Sequence, residues 1–272
     1  MYKVYSIISI GIFTLLLGSC AALPIQSKPK FQIKSFVKLE YNGYEKTCEP
    51  KDPSNLRDEC YKFVDGALGS GSIVGNSIDG SYVLTAAHIC NKGEEVLVNK
   101  FFTPRDGNEN TLLRKFYVYD IDQFKYNAEI IKYDDKNDIC LAHVWGLFGP
   151  ALVLSKDGPE IGDETFNMAA PAGFASEGMV PLFSGVYSGE YKDAAIYTIP
   201  AIGGSSGSPI VNIDGHLIGL IYARHIRFHH ITLSPQHKVL IKFILDAVKQ
   251  HTEEQTQKHG LSKERSIIIR FK

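Results

Sequence analysis

Between about residues 36 and 233 the chain is written as short β-rich runs separated by clusters of Gly, Asp, Asn and Pro. The runs fall at 71–75, 82–85, 95–101, 116–121, 128–133, 139–144, 165–169, 195–199, 209–213 and 216–222. Asp79-Gly80 and Asp214-Gly215 each lie between two of them, a strong short-range signal for a two-residue hairpin. No βαβ rhythm and no internal repeat interrupts this pattern, so it predicts an antiparallel sandwich or barrel. With 272 residues, 44% of them hydrophobic, one large β domain or two subdomains of about 100 residues each bury a sufficient core without metal or disulfide staples.

One helix is expected, at 234–250. Ser234 is placed to N-cap it, Pro235 suits its first turn, and Leu240, Ile241, Ile244, Leu245 and Val248 share one face. Such a stripe packs on a core and carries no chemistry. The tail at 251–272 is polar, ends in Ile267-Ile268-Ile269 before its last three residues, and reads equally as an appendage or a late strand.

The other end is read as a leader. Lys3 precedes an apolar run at 7–17, a length that suits a signal h-region and falls short of the roughly 20 apolar residues a spanning helix needs. Leu17-Gly18-Ser19-Cys20 then resembles the bacterial lipobox. This resemblance implies a signal peptide at 1–19, a lipidated N-terminus at Cys20 that partners the membrane, and a tether at 20–35. A permanent anchor and an ordinary secretory signal cleaved near Ala22 are the alternatives. Either way the mature chain is exported, and as a bacterial lipoprotein it belongs to the cell envelope, on its periplasmic or extracellular face.

Charge and cysteine content agree with that setting. Lys and Arg (29) balance Asp and Glu (30), so there is no global basic field to recruit nucleic acid. Apart from Cys20 the cysteines number four, Cys48, Cys60, Cys90 and Cys140, an even count that suits an oxidising compartment and allows three connectivities, or free thiols.

Three separated motifs carry the functional reading. Tyr82-Val83-Leu84-Thr85-Ala86-Ala87-His88 is a strand ending in small residues and a histidine, and Asn137-Asp138-Ile139-Cys140-Leu141 sets an aspartate at the entrance of an apolar strand. Gly203-Gly204-Ser205-Ser206-Gly207-Ser208-Pro209-Ile210 is a glycine-rich turn around a serine that leads into a strand. In order and spacing these resemble the chymotrypsin-like (trypsin-fold) serine peptidases, particularly the bacterial branch that includes the HtrA and glutamyl-endopeptidase groups. The resemblance covers about residues 66–233.

What the resemblance implies is an all-β fold of two six-stranded antiparallel barrels, at about 36–145 and 150–233, and hydrolysis of polypeptide substrates without a cofactor or metal. A serine hydroxyl attacks only when an imidazole takes its proton, and the imidazole needs a carboxylate to fix its tautomer and stabilise its cation. Ser206, His88 and Asp138 match those roles; Ser205 and Ser208 flank the first, and Asp134 and Asp135 lie near the third without leading directly into an apolar strand. The amides of Gly204 and Ser206 match the oxyanion-hole donors. Pro200, Leu220, Ile221 and Tyr222 match segments that line the first specificity pocket, where the absence of Asp disfavours Arg or Lys substrates. A basic cluster of Arg224, His225, Arg227, His229 and His230 follows.

Two departures from the pattern matter. Ser205 stands where blood- and gut-type relatives carry the Asp that pairs with a newly released N-terminus, so activation through that pair is not expected. Cys90 and Cys140 each follow a matched residue by two positions, which pairs them if His88 and Asp138 touch and leaves Cys48 for Cys60. The rival reading from another class is a catalytically silent lipoprotein that uses the fold as a binding or scaffold module. A third is an esterase with the same residues.

Overall fold

The computed structural model describes residues 28–49, 51–52, 54–55, 57–90, 112–259 and 269–272. The leader at 1–19, Cys20 and the run expected at 95–101 lie outside the described residues.

The first half contains β1 (Phe36–Lys46), β2 (Tyr61–Asn76), β3 (Gly80–Thr85), a one-turn helix α1 (Ala87–Cys90), β4 (Leu112–Tyr119), β5 (Lys125–Asp134) and β6 (Ile139–Trp145). These strands close into a barrel in the order β1-β2-β3-β6-β5-β4, with β1 paired antiparallel to both β2 and β4. Along β1 burial alternates from Leu39 onward, as expected for a strand with one face inward. Strand β3 is buried at every position and β6 at all but its last, because neighbours cover both of their faces.

The second half contains β7 (Glu164–Met168), β8 (Leu182–Tyr191), β9 (Ala194–Tyr197), β10 (Pro209–Val211), β11 (Leu217–Leu220), β12 (Ala223–His225) and β13 (Phe228–Pro235). It is a curled seven-stranded sheet, ordered β11-β10-β7-β8-β9-β13-β12, where a second closed six-stranded barrel was expected. The architecture is nonetheless the chymotrypsin-like one. Gly215, at φ 80°, takes the left-handed corner of the β10–β11 turn, and its amide donates to Asn212 O at 2.9 Å.

The helix differs from the sequence expectation at both ends. It is α2 (His237–His259), so it begins later than 234 and takes in nine residues assigned to the polar tail. Ser234 and Pro235 belong to β13, opposite Ala195 and Ala194. The Ser234 hydroxyl is occupied elsewhere, accepting from Leu220 N at 3.0 Å and donating to Pro235 O. Leu240, Ile244 and Val248 are buried as expected, joined by Phe243 and Ala247, whereas Leu245 is exposed. They share one core with Leu84, Ile139 and Leu141 of the barrel and Leu217 and Leu220 of the second sheet. At about 1.5–3 kcal/mol for each large side chain fully buried, α2 thus ties the two halves together.

Residues assigned to the tether also join the fold. Phe31 packs edge-on against Phe166 with centroids 5.8 Å apart, and Lys30 N donates to Ile213 O at 3.1 Å. At the far end of the chain, Leu154 bridges to Phe271 in parallel, so the last residues are a late strand-like addition to the second half.

Candidate active site

His88 sits in α1, where the small residues Ala86 and Ala87 let the chain turn tightly out of β3; both are buried. Asp138 closes the turn into β6 with φ 53°, a left-handed conformation that Asp tolerates better than most side chains. From there its carboxylate reaches His88 twice. Oδ2 accepts from the ring Nδ1 at 2.7 Å, and Oδ1 accepts from the His88 backbone amide at 2.8 Å. With the Nδ1 proton held by a carboxylate, Nε2 is left as the basic nitrogen. Asp134, the weighed alternative, instead accepts from its own neighbour Asn137.

The cysteines reinforce this pair. Cys90 is bonded to Cys140 with Cα atoms 6.5 Å apart, and Cys48 to Cys60 with Cα atoms 4.8 Å apart. The first bond links the helix that carries His88 to the strand that follows Asp138.

The Ser206 turn is held by its backbone. Gly204 has φ 92°, and a Cβ there would lie 2.5 Å from Ala170 O and 2.7 Å from Ala172 N. Gly207 has φ 86° and lies against Ser70 O, Thr85 Oγ1 and Ala86 N, so only a residue without a side chain lets the turn approach the strand that ends in His88. Ser205 N donates to Ile202 O at 3.0 Å, Gly207 N to Ile221 O at 2.7 Å and Ser208 N to Ser205 O at 3.1 Å. The amides of Gly204 and Ser206 meet no acceptor among the described residues. Two unengaged donors two positions apart on a glycine-cornered turn can receive a developing oxyanion. No hydrogen bond joins the Ser206 hydroxyl to the His88 ring in this structure. Resting active sites often hold that contact long and tighten it with substrate.

Ser205 is buried at 1% exposure, and its hydroxyl accepts from Ile202 N at 3.4 Å, so it serves the turn itself. Among the matched pocket residues, Leu220 and Ile221 are 0% and 2% exposed and turn their side chains into the core. They offer a cleft only their backbone, because the sheet that presents this strand uses both of its faces for packing. Tyr222 is half-buried, and its phenol is pushed up first by burial and then by the carboxylates of Asp138 and Asp193. Pro200 is half-buried, and its neighbour Ala201 N donates to His229 O at 3.0 Å.

Sequence reasoning missed Ser70. Fully buried in β2, its amide donates to Ser206 O at 2.8 Å, and its hydroxyl donates to Gly204 O and accepts from Ala170 N, both at 2.8 Å. It therefore braces the Ser206 turn from the barrel side. The run Gly69-Ser70-Gly71-Ser72 signals small residues where backbones approach, and a Cβ on Gly71 would lie 2.7 Å from Leu84 O. That signal identifies a close approach without revealing what approaches.

A closed antiparallel barrel joined to a curled sheet, with His88 and Asp138 on the first and the Ser206 turn on the second, defines the chymotrypsin-like class of fold. The family of the trypsin-like peptidase domain matches residues 69–220, more than half of the chain, and the chain belongs to it. A probable periplasmic serine endoprotease, DegP-like, from Pseudomonas fluorescens is 28% identical over 166 residues, covering 58% of this chain and 30% of that protein. The chain therefore spans under a third of that relative's length. The crystal structure of the serine endoprotease from Yersinia pestis superposes with a TM-score of 0.56 at 17% identity, over 80% of this chain and 64% of that one, a likeness of fold.

Proposed function

We propose that this protein is an exported serine endopeptidase that cleaves polypeptides through an acyl-enzyme on Ser206. The observation that carries the reading is the double hold of Asp138 on His88, 2.7 Å to the ring and 2.8 Å to the backbone, beside a turn whose Gly204 and Ser206 amides are unengaged. In this mechanism His88 Nε2 removes the Ser206 hydroxyl proton as Oγ attacks the scissile carbonyl. Asp138 holds the ring tautomer and stabilises the imidazolium that forms. The carbonyl oxygen gains its negative charge between the two amides, and His88 then returns the proton to the leaving amine. Water, deprotonated by the same nitrogen, releases the acid product.

Export and anchoring complete the proposal: a leader at 1–19 is removed and Cys20 carries the lipid. The probable periplasmic setting of the DegP-like relative and the pairing of all four other cysteines support an oxidising compartment.

The test is labelling of the purified protein with a fluorophosphonate, with Ser206→Ala beside it and mass spectrometry of both the label and the mature N-terminus. The expected result is label on Ser206 alone, lost in the variant, and a lipid-bearing Cys20 at the N-terminus. Folded protein that takes no label at neutral pH overturns the enzymatic reading in favour of a binding module.

A further inference from the structure

Strand β12 is the last of the second sheet, and its outer edge has no strand partner among the described residues. The segment that leads into it lies beside the Ser206 turn. Ile221 O accepts from Gly207 N, Tyr222 N donates to Leu233 O, and the backbone then runs through Ala223 to Arg224 and His225 before reversing into β13. The other wall of this corner is fastened to the same turn by the Ala201 N to His229 O bond. An extended peptide that adds to this edge antiparallel, with its scissile bond at Ser206, therefore sets its upstream residues progressively closer to Arg224 and His225.

The charge along this path changes sign. Asp138 and Asp193 both bear on Tyr222, close to the turn. Past Tyr222 the field is basic. No Asp or Glu occurs between Asp214 and Asp246, in a chain that carries 30 acids among 272 residues, and Arg224, His225, Arg227, His229 and His230 crowd the hairpin within that span. All five are exposed. Arg224 Nη1 donates to His229 Nδ1 at 2.6 Å, and among the described residues no carboxylate pairs with it. The imidazole orients the guanidinium without neutralising it and leaves its remaining donors, a planar fork suited to a carboxylate, for a ligand.

Resting on the reading of Ser206 as the nucleophile's position, we infer that the β12–β13 hairpin selects substrates with acidic side chains roughly three to five residues ahead of the scissile bond, held by Arg224 in the orientation set by His229. Ile226 and Phe228, 83% and 54% exposed at the hairpin tip, give the flanking apolar contact.

The experiment scans a single Glu against Gln through an otherwise neutral quenched-fluorescence peptide. It reads kcat/KM with the active protein, and binding by anisotropy with the Ser206→Ala protein. Expected is a Glu/Gln preference of about three- to tenfold at the upstream positions, shrinking with added salt. Arg224→Gln should bring the upstream ratio near one, and Arg224→Glu should bring it below one. Arg224 is exposed, and retained fluorophosphonate labelling reports folded protein. A flat scan overturns the inference, as does a preference unchanged in Arg224→Glu. So does a flat scan combined with Arg224-dependent binding to phosphatidylglycerol vesicles, which would assign the hairpin to a lipid surface. Because binding is read on Ser206→Ala, a chain that never labels would overturn the peptidase proposal while the acid preference is still measured.

Discussion

His88 and Ser206 belong to one candidate site but are held by different physics. On the barrel side a side chain fixes a side chain: Asp138 grips His88 through both carboxylate oxygens, and a disulfide ties the segments that carry them. On the sheet side the backbone fixes itself, through left-handed glycines, a buried Ser70 and amides that donate within the turn. The first arrangement tolerates changes in shape but not in charge. The second depends on close backbone approach and does not tolerate an added methyl group.

The largest expected effect tests the barrel side. Asp138→Asn keeps the shape but removes the anion and favours the wrong His88 tautomer, so kcat on a peptide substrate should fall by about 10⁴-fold with the fold intact by circular dichroism. Wild-type turnover in this variant would mean that His88 is not oriented by Asp138.

Next comes the sheet side. Gly204→Ala puts a Cβ 2.5 Å from Ala170 O at φ 92°, so the turn must shift and the proposed oxyanion donor moves with it. Loss of one such donor costs about 10²–10³-fold in kcat. Stability should also fall, by about 1–3 kcal/mol in urea melts. An unchanged kcat would place the oxyanion site elsewhere.

The covalent link separates stability from chemistry. Removing Cys90–Cys140, which closes a 50-residue separation, by the double Ala variant should cost about 2–4 kcal/mol of unfolding free energy. At temperatures where the variant remains folded, fluorophosphonate labelling should persist, since the carboxylate alone still holds His88. Loss of labelling in folded variant would show that the bond, and not Asp138, sets the geometry.

The smallest effect lies on the far side of the barrel. Burial holds the His143 imidazole below its ordinary value, aided by His251 and opposed by Asp79 and Glu129. The unfolded chain therefore takes up a proton more readily than the folded one. Stability is full above the ordinary imidazole value near pH 6.5 and declines as pH falls below it. The melting temperature should drop between about pH 7 and pH 5, and less steeply in His143→Gln. Trp145, the single tryptophan, has its ring 4.3 Å from His143 and reports the change by fluorescence. Equal slopes in both proteins would remove His143 from the acid response.

Local chemistry made much of this legible in the sequence. Turn residues and short apolar runs marked β3, β5, β6, β7 and β10 within a few residues, because both are decided by neighbours in the chain. The order of His88, Asp138 and the Ser206 turn implied the fold, and the family match bears that out. Helix α2 was misplaced at its start for a non-local reason: Ser234 suits an N-cap, but Leu220 N claims its hydroxyl and Ala195 its backbone. Leu220 and Ile221 were matched to a pocket by position, and only the packed sheet shows that their side chains point into the core. Ser70 could not be singled out from sequence, since its partners Gly204 and Ala170 lie 134 and 100 residues away. The sequence by itself determined which residue types occupy each turn and strand and the order of the candidate site residues. Only the tertiary structure decided which donors stay unengaged, which side chains face the cleft and how Arg224 is aimed, because hydrogen bonds and burial depend on partners that folding brings from far along the chain.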